Sequence, residues 1–284
     1  MNKMAVNYEE IHDYLIELAL EAGAVLTANT GTSAYDDKAN AVDLVTAIDA
    51  SVESLIKSKL RAKYPAFDFI GEESEKHALS DLPTFIIDPI DGTTNFIHAF
   101  PFSCISLGLA VNRKSVVGVV HNPHLNTTYS AIVNNGAYLN STTRLPLTPA
   151  TPLSLSSALI GIEWGTDRDG TNFKIKTDTF KSLASKQGAM VHGFRSLGSA
   201  AQNLCAVASG SLDAYWEGGC YAWDVCAGWI ILQEAGGRMV DGNPGNWKPD
   251  LEERTYLAVR PGADSEKFIT DFWSHIPGKM FYQS

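Results

Sequence analysis

One twelve-residue stretch, FIIDPIDGTTNF from Phe85 to Phe96, limits what this chain can fold into more than any other. It begins as an apolar run, which is typical of a buried strand, and then brings the carboxylates of Asp88 and Asp91 to the same place. Pro89 fixes the backbone between them, so that both side chains can converge. Two converging carboxylates repel each other, and a cation would relieve that repulsion. The stretch therefore predicts an acidic corner that other parts of the chain must complete.

The same aspartate pair also has a purely structural explanation. Aspartates in turns accept hydrogen bonds from nearby backbone amides, and a bare D-x-x-D favours that interpretation. In this chain, however, the pair is followed directly by Gly92-Thr93-Thr94, whose amides at a predicted helix start are suited to an anion. A cation site beside an anion site is what phosphate chemistry requires.

Charge and composition exclude some classes of partner. The net charge of −10 argues against nucleic acid as the main partner, because binding to a phosphate backbone depends on clustered lysine and arginine. The four cysteines show no metal-binding spacing and are expected to be reduced. The N-terminal residues have no secretory pattern, and no apolar run approaches the length of a membrane span. We therefore expect a cytoplasmic protein without a membrane partner.

In the first half, apolar spacing predicts a helix over 8–26 and a second helix, closed by Pro65, whose apolar face comprises Val52, Leu55, Ile56 and Leu60. The segment 30–40 is predicted to be a loop that holds Lys38. A short strand at 67–70 leads to Glu72 and Glu73. Several β-rich runs separated by short polar breaks then predict an antiparallel meander: 85–87, 103–111, 115–122, 127–133 and 136–139.

The proline- and threonine-rich segment 142–152 is a predicted boundary between an N-terminal half, 1–150, and a C-terminal half, 151–284. Strands and helices alternate in the second half, which predicts a layered α/β arrangement that closes the substrate site. The predicted strands are 159–163, 191–195 and 213–216, and the predicted helices are 173–187, 199–209, 223–235 and 264–273.

Each of the other acidic candidates has a structural alternative that local sequence leaves open. Glu72 and Glu73 fit a solvated loop, Asp224 fits the cap of the helix over 223–235, and Glu217 fits the rim of a glycine turn. No histidine lies at a defensible metal-ligand spacing: His98, His121, His124 and His192. The sequence also contains no G-x-S-x-G elbow, P-loop or G-x-G-x-x-G turn.

Three motifs taken together go beyond these local explanations. GEES at 71–74, DPIDGTTNF at 88–96 and WDVCAGWIILQEAGG at 223–237 resemble the inositol monophosphatase family in their order and separations. The resemblance covers nearly the whole chain, including 38–49 and 194–217. It implies a five-layer αβαβα sandwich, a lithium-sensitive phosphatase activity and a homodimer.

The resemblance also implies a set of metal ligands. Glu72, Asp88 and the carbonyl of Ile90 would hold one magnesium ion, and Asp88 would bridge to a second ion held by Asp91 and Asp224. A third, weaker ion would depend on Glu72, which gives two or three Mg²⁺ per site.

Further roles come from the same resemblance. Thr93, hydrogen-bonded to Asp49, would orient and activate the attacking water, with Glu72 as the third catalytic residue. The amides of Gly92 and Thr93 would receive the phosphate, and Glu217 would bond a hydroxyl of the alcohol. Lys38 matches a lysine near the family's metal site. Two further residues expected at the substrate are Ser199 and Ala200.

Two segments depart from the better-known animal members of the family, namely 163–168 and 219–222. Both are expected beside the alcohol half of the substrate and away from the metals. The predicted function is therefore magnesium-dependent hydrolysis of inositol monophosphate, or of a related small polyol or sugar phosphate, to alcohol and inorganic phosphate. Alternatives are the same chemistry on histidinol phosphate, a sugar bisphosphate or a nucleotide 3′-phosphate, and a non-catalytic regulator that binds a metabolite.

Overall fold

The computed structural model describes residues 6–29, 35–37, 44–74, 77–149 and 151–283. Its helices are α1 (Tyr8–Asn29), α2 (Ala47–Lys63), α3 (Thr93–Ile97), α4 (Gly170–Ala184), α5 (Ala200–Ser209), α6 (Ala222–Glu234) and α7 (Ser265–Trp273). A short 3₁₀ helix covers Leu155–Ser157. The strands of the first half are β1 (Tyr35–Asp37), β2 (Leu44–Thr46), β3 (Asp68–Gly71), β4 (Thr84–Asp91), β5 (Cys104–Val111), β6 (Lys114–Asn122), β7 (Thr127–Ile132), β8 (Gly136–Leu139) and β9 (Thr143–Arg144). Those of the second half are β10 (Leu159–Ile162), β11 (Gly193–Arg195), β12 (Ala214–Gly218), β13 (Arg238–Asp241) and β14 (Thr255–Val259).

Within the described residues, the strands form two large sheets and one two-stranded sheet. A seven-stranded sheet runs in the order β3-β4-β5-β6-β7-β8-β9, and only its β3–β4 pair is parallel. A five-stranded mixed sheet has the order β11-β10-β12-β14-β13. The two-stranded sheet pairs β1 with β2 in antiparallel orientation. The predicted antiparallel meander is therefore confirmed.

Three apolar clusters stack the elements into five layers. The first packs α1 and α2 against one face of the seven-stranded sheet, and the second packs α5 and α6 between the two sheets. The third packs α4 and α7 against the outer face of the five-stranded sheet. This order is the layered αβαβα arrangement that was predicted. The middle cluster contains side chains from both sheets, so the two halves share one apolar core. The division into 1–150 and 151–284 stays a prediction.

Two paired glycines let α6 lie against the seven-stranded sheet. Gly108 in β5 is the register partner of Gly118 in β6. A Cβ on Gly108 would come within 2.5 Å of the Cys226 sulfur, and one on Gly118 would collide with the carbonyl oxygen of Ala227. Close approach here fixes the start of α6, where Asp224 lies, relative to the centre of the sheet.

Parts of the sequence-based assignment were wrong. The predicted loop 30–40 contains the strand β1, which pairs with β2; Lys38 lies outside the described residues. The sequence interpretation also missed β13 and β14, which add two antiparallel strands to the second sheet. All five positions of β14 are buried, so the continuous apolar pattern is that of a strand covered on both faces. None of the helices within the described ranges has the length and apolar run needed to span a bilayer.

Candidate active site

A bulge at the end of β4 brings the two predicted aspartates to one face. Asp88 pairs with Ser106 and Asp91 with Cys104, so β4 has one more residue than β5 between these pairs. In a regular strand, residues three apart point to opposite faces; the extra residue reverses the alternation. Ile87 and Ile90 accordingly both pack into the core against α1 and α2.

One oxygen of Asp88 accepts a hydrogen bond from a nearby backbone amide, as the turn interpretation of this aspartate predicted. The amide of Ile90 donates to Asp88 Oδ1 at 3.0 Å, which is an Asx-type turn. A carboxylate has several acceptor sites, so this bond is compatible with a second role for the group.

Gly92 ends the strand in the left-handed region, at φ 90°. A Cβ there would lie 3.0 Å from the carbonyl oxygens of Gly198 and Phe102, so that both backbone angle and space require glycine. The short helix α3 then begins at Thr93, as predicted. The turn from buried strand to helix is thus fixed by this one residue.

The third carboxylate comes from α6. Asp224 is the third residue of that helix, and its Oδ2 accepts from the amide of Tyr221 at 2.6 Å as part of a capping box, so the predicted capping role is correct for one of its oxygens. Oxygens of Asp88, Asp91 and Asp224 all lie within 4.8 Å of one another. We call these three residues the acidic corner.

A second acidic group adjoins the acidic corner. Oxygens of Asp49, Glu72 and Glu73 also lie within 4.8 Å of one another. Glu73 was not among the predicted ligands. The 71–74 turn is held by buried Glu53, which accepts from the amide of Glu73 at 2.8 Å and from the hydroxyl of Ser74. Sequence analysis missed Glu53, although its position one helical turn after Asp49 in α2 is a signal that could have found it.

Burial acts on all three carboxyls of the acidic corner, and repulsion from neighbouring carboxylates also acts on Asp88 and Asp224. Burial first, and then the negative charges of Glu72, Asp91 and Asp224, raise the pKa of Asp88 well above its ordinary value. Asp224 has its pKa raised by the same causes. Burial raises the pKa of Asp91 to about 6, against hydrogen bonds that favour its charged form. A divalent cation would remove this electrostatic penalty, and an all-oxygen ligand set fits magnesium.

The hydroxyl of Thr93 lies between two predicted partners. Its oxygen is 3.1 Å from the carbonyl oxygen of Ile90 and 3.4 Å from Asp49 Oδ2. The geometry is therefore compatible with the Thr93–Asp49 pair that the family resemblance implies.

Ser199 and Ala200 lie against a carboxylate of the acidic corner. The Ser199 hydroxyl donates to Asp91 Oδ2 at 2.6 Å, and the amides of Ala200 and Ala201 donate at 3.2 and 2.7 Å. These three donors at the start of α5 orient Asp91. The predicted substrate contact of Ser199 and Ala200 stays a prediction.

One buried carboxylate that sequence analysis did not select supports this helix start. Glu163 accepts from the amides of Leu197 and Gly198 at 2.7 and 2.9 Å, and from the Asn203 amide and the Ser196 hydroxyl at 2.8 and 2.9 Å. The start of segment 163–168 is therefore fixed to the turn that precedes α5. Glu163 acts on the acidic corner through that turn.

Glu217 lies inside β12 and not after it, and the hydroxyl of Tyr215 donates to its carboxylate. Burial and the charge of Glu163 raise the pKa of Glu217 to about 8, while the bond from Tyr215 and the charge of Lys176 lower it. A carboxyl that is held in this way by a buried tyrosine presents a fixed polar contact.

Two of the four histidines considered from the sequence make hydrogen bonds to hydroxyls. A ring nitrogen of His121 lies 2.9 Å from the Thr128 hydroxyl, and one of His124 lies 3.0 Å from the Ser103 hydroxyl. His98 and His192 are exposed. All four cysteines are free and buried.

Comparisons with known proteins agree with this geometry. The model of the inositol monophosphatase family matches residues 7–277. The chain is 54% identical to inositol monophosphatase 2 of Saccharomyces cerevisiae, over 96% of this chain and 97% of that protein. It is 40% identical to human inositol monophosphatase 1, over 90% and 91% of the two chains. The solved structure of suhB from Bartonella henselae matches with a TM-score of 0.81 at 28% identity, covering 95% of this chain and 100% of that one. The chain therefore belongs to the inositol monophosphatase family of phosphatases.

Proposed function

We propose that this enzyme hydrolyses inositol monophosphate to inositol and inorganic phosphate with Mg²⁺ as its cofactor. The observation that carries the proposal is the acidic corner: three converging carboxyls, two of them buried and one half-buried, with raised pKa values, beside a second acidic group and a tight turn into a helix. Inositol as the alcohol is supported by the names of the yeast and human relatives.

Two or three Mg²⁺ ions would be held by the predicted ligands Glu72, Asp88, Asp91, Asp224 and the carbonyl of Ile90. When bound, such ions lower the pKa of a water molecule, neutralise phosphoryl oxygens and stabilise the leaving alkoxide. Carboxylates plus substrate oxygens suit magnesium, because it keeps part of its own water shell.

The chain's own groups supply orientation. Thr93, placed by Asp49 and the Ile90 carbonyl, would accept a hydrogen bond from the attacking water and hold it in line with the phosphorus. The amides of Gly92 and Thr93 would donate to the phosphate. Because the water attacks directly, no phosphorylated side chain is required.

Three further properties belong to the proposal through the family resemblance. They are inhibition by lithium, assembly as a homodimer and a cytoplasmic location. The location is also supported by the four free cysteines, since oxidising compartments favour disulfides. The predicted halves 1–150 and 151–284 would meet at the active site.

The proposal is tested by measuring Mg²⁺-dependent phosphate release from inositol 1-phosphate, sugar phosphates, histidinol phosphate, a nucleotide 3′-phosphate and p-nitrophenyl phosphate. We expect inositol 1-phosphate to give the highest kcat/KM. At pH 9, above the pKa of about 8 that Glu217 has in the folded protein, Glu217→Gln should lower that value by about 10- to 100-fold, because the alcohol's hydroxyl then meets a neutral amide in place of a charged acceptor. It should affect p-nitrophenyl phosphate much less.

Either of two results would contradict the proposal. An enzyme without phosphate release in Mg²⁺ would refute the activity. Equal losses on both substrates in the Glu217 variant would refute the alcohol contact.

A further inference from the structure

Three successive backbone carbonyls follow Glu217, and each accepts a hydrogen bond from a cationic side chain. Lys176 Nζ donates to Gly218 O at 2.9 Å. Arg254 donates to Gly219 O and to Cys220 O, at 2.7 Å in each case. The backbone from β12 towards α6 is therefore held from outside by two cations, in the segment between Glu217 and the acidic corner.

Lys176 also fixes the second segment in which this chain departs from the animal enzymes. The side chain of this lysine is 1% exposed, and its ammonium group donates to Trp164 O at 2.8 Å and lies 3.9 Å from Asp167 Oδ2. Burial lowers the pKa of Lys176, which means that desolvating its charge has a cost. A buried cation that joins 164–167 to Gly218 has a strongly constrained position. We call residues 164–167 and 217–221 together the alcohol wall.

Tyr282, near the C-terminus, lies between the two cations. Its ring centre is 5.5 Å from Lys176 Nζ and 5.8 Å from Arg254 Cζ, which is cation–π distance to both. Its hydroxyl donates to Asp167 Oδ2 at 2.9 Å. The ring also covers the backbone of Gly218, where a Cβ would lie only 2.8 Å from Tyr282 Cε2. One side chain thus touches both parts of the alcohol wall and both of the cations that hold it.

The segment that carries this tyrosine is itself anchored on both sides. We call Met280–Gln283 the C-terminal strap. Asn243 bonds the amide and carbonyl of Met280 at 2.8 and 3.0 Å, and Asn172 bonds those of Phe281 at 3.0 and 2.8 Å. The carbonyl of Gln283 accepts from Arg254. The side-chain amides of the two asparagines thus satisfy both backbone hydrogen-bonding groups of Met280 and of Phe281. These bonds hold the strap in place although it forms no helix or strand.

We propose that the C-terminal strap, through Tyr282, positions the alcohol wall and sets which phosphorylated alcohol the enzyme prefers. The inference rests on the proposed function, because it concerns the same site. Tyr282 is a positioning residue: it acts on Glu217 through Lys176, Arg254 and the carbonyls between them. The ligand class it selects is a polyol phosphate with a hydroxyl that reaches Glu217. A phosphate ester without such a hydroxyl does not depend on the alcohol wall, so its turnover is independent of the strap.

The test compares Tyr282→Ala with Tyr282→Phe, using inositol 1-phosphate and p-nitrophenyl phosphate in saturating Mg²⁺. Tyr282→Ala removes the ring from both cations and should raise KM for inositol 1-phosphate about tenfold, with kcat within about twofold of the wild type. Tyr282→Phe loses only the bond to Asp167 and should raise this KM about threefold. For p-nitrophenyl phosphate we expect both constants to stay within about twofold in both variants.

Phe281→Ala is the matched control, because this neighbouring side chain is 77% exposed and its backbone bonds to Asn172 do not depend on it. It should leave both substrates unchanged. The thermal midpoint of each variant is measured in parallel, and Tyr282→Phe keeps the test valid if Tyr282→Ala does not fold. Equal changes on both substrates, or none on either in the Tyr282 variants, would overturn the inference. A failed proposed function is seen separately, as absent turnover of inositol 1-phosphate by the wild type.

Discussion

The acidic corner and the alcohol wall lie next to each other but are built from different kinds of contact. The corner takes its three carboxylates from β4 and α6, which pack against each other at the centre of the fold. The wall takes its shape from backbone carbonyls held by Lys176, Arg254 and the C-terminal strap. The corner therefore depends on the packing of β4 against α6, whereas the wall depends on hydrogen bonds from cationic side chains to backbone carbonyls. Contacts of this second kind can change between relatives without disturbing the metal ligands, so substrate preference can change while the chemistry is kept.

The largest effect is expected from a substitution in the acidic corner, which should lower turnover but raise the stability of the metal-free protein. Asp88→Asn should lower turnover by about 10³-fold or more, since one of the proposed Mg²⁺ ligands is lost. In metal-free buffer at pH 8 the same variant should be more stable than the wild type, by about 1–3 kcal/mol, because it removes a buried carboxyl that neighbouring carboxylates destabilise. The amide oxygen can still accept from Ile90.

The sign of the pH dependence follows from the raised pKa values. A carboxyl whose pKa is higher in the folded state adds stability below its unfolded pKa, and this stability is lost as pH rises through the folded pKa. For Asp91 the loss spans about pH 4 to 6, and for Asp88 it extends higher. The stability advantage of Asp88→Asn should thus shrink at pH 5. Asp81→Asn, the same substitution at an exposed site, is the control and should change neither turnover nor stability. An Asp88→Asn variant that is less stable than the wild type in metal-free buffer would refute the account of repulsion.

A smaller effect is expected from the packing that positions the corner. Gly118→Ala should force α6 away from β6, because the added Cβ meets the backbone oxygen of Ala227. We expect a loss of about 1–3 kcal/mol in the free energy of unfolding. Moving α6 displaces Asp224, so that the apparent Mg²⁺ affinity in the phosphate-release assay should fall about tenfold.

Gly161→Ala is its matched control in the other sheet. The Cβ there meets the end of the Leu212 side chain at 3.2 Å, which can move aside. This variant should keep the wild-type Mg²⁺ affinity. If Gly118→Ala also keeps it, the corner does not depend on the α6 contact.

The sequence predicted the acidic corner better than it predicted the wall. FIIDPIDGTTNF and the WDVCAG motif contain all three carboxylates, because each lies at the end or start of a strongly patterned element. What the pattern could not give is the bulge that turns Asp88 and Asp91 to one face, since an extra strand residue is defined only by its partner strand. The glycine pair under α6 is likewise visible only once β5 and β6 are in register.

Local sequence patterns could not predict how the alcohol wall is held, because its contacts join residues that are far apart in the sequence. Tyr282 and Asp167 are 115 positions apart, and Glu163 reaches Asn203 across 40. A lysine on a predicted helix such as Lys176 is normally exposed, and tertiary contacts alone bury it. The missed strand β14 is a further case, because its neighbours β12 and β13 give it the buried position that a short apolar run cannot specify.

The most direct test of the central claim is calorimetric titration of the metal-free protein with Mg²⁺ at pH 6, in two buffers of different ionisation enthalpy. The acidic corner should bind Mg²⁺ and release protons on binding, since Asp91, with a pKa of about 6, and Asp88 are partly protonated before the ion arrives. Asp224→Asn can keep its bond from Tyr221 but should lose most of this binding. A wild-type protein that binds no Mg²⁺, or an Asp224→Asn variant that binds it equally well with the same proton release, would contradict the account.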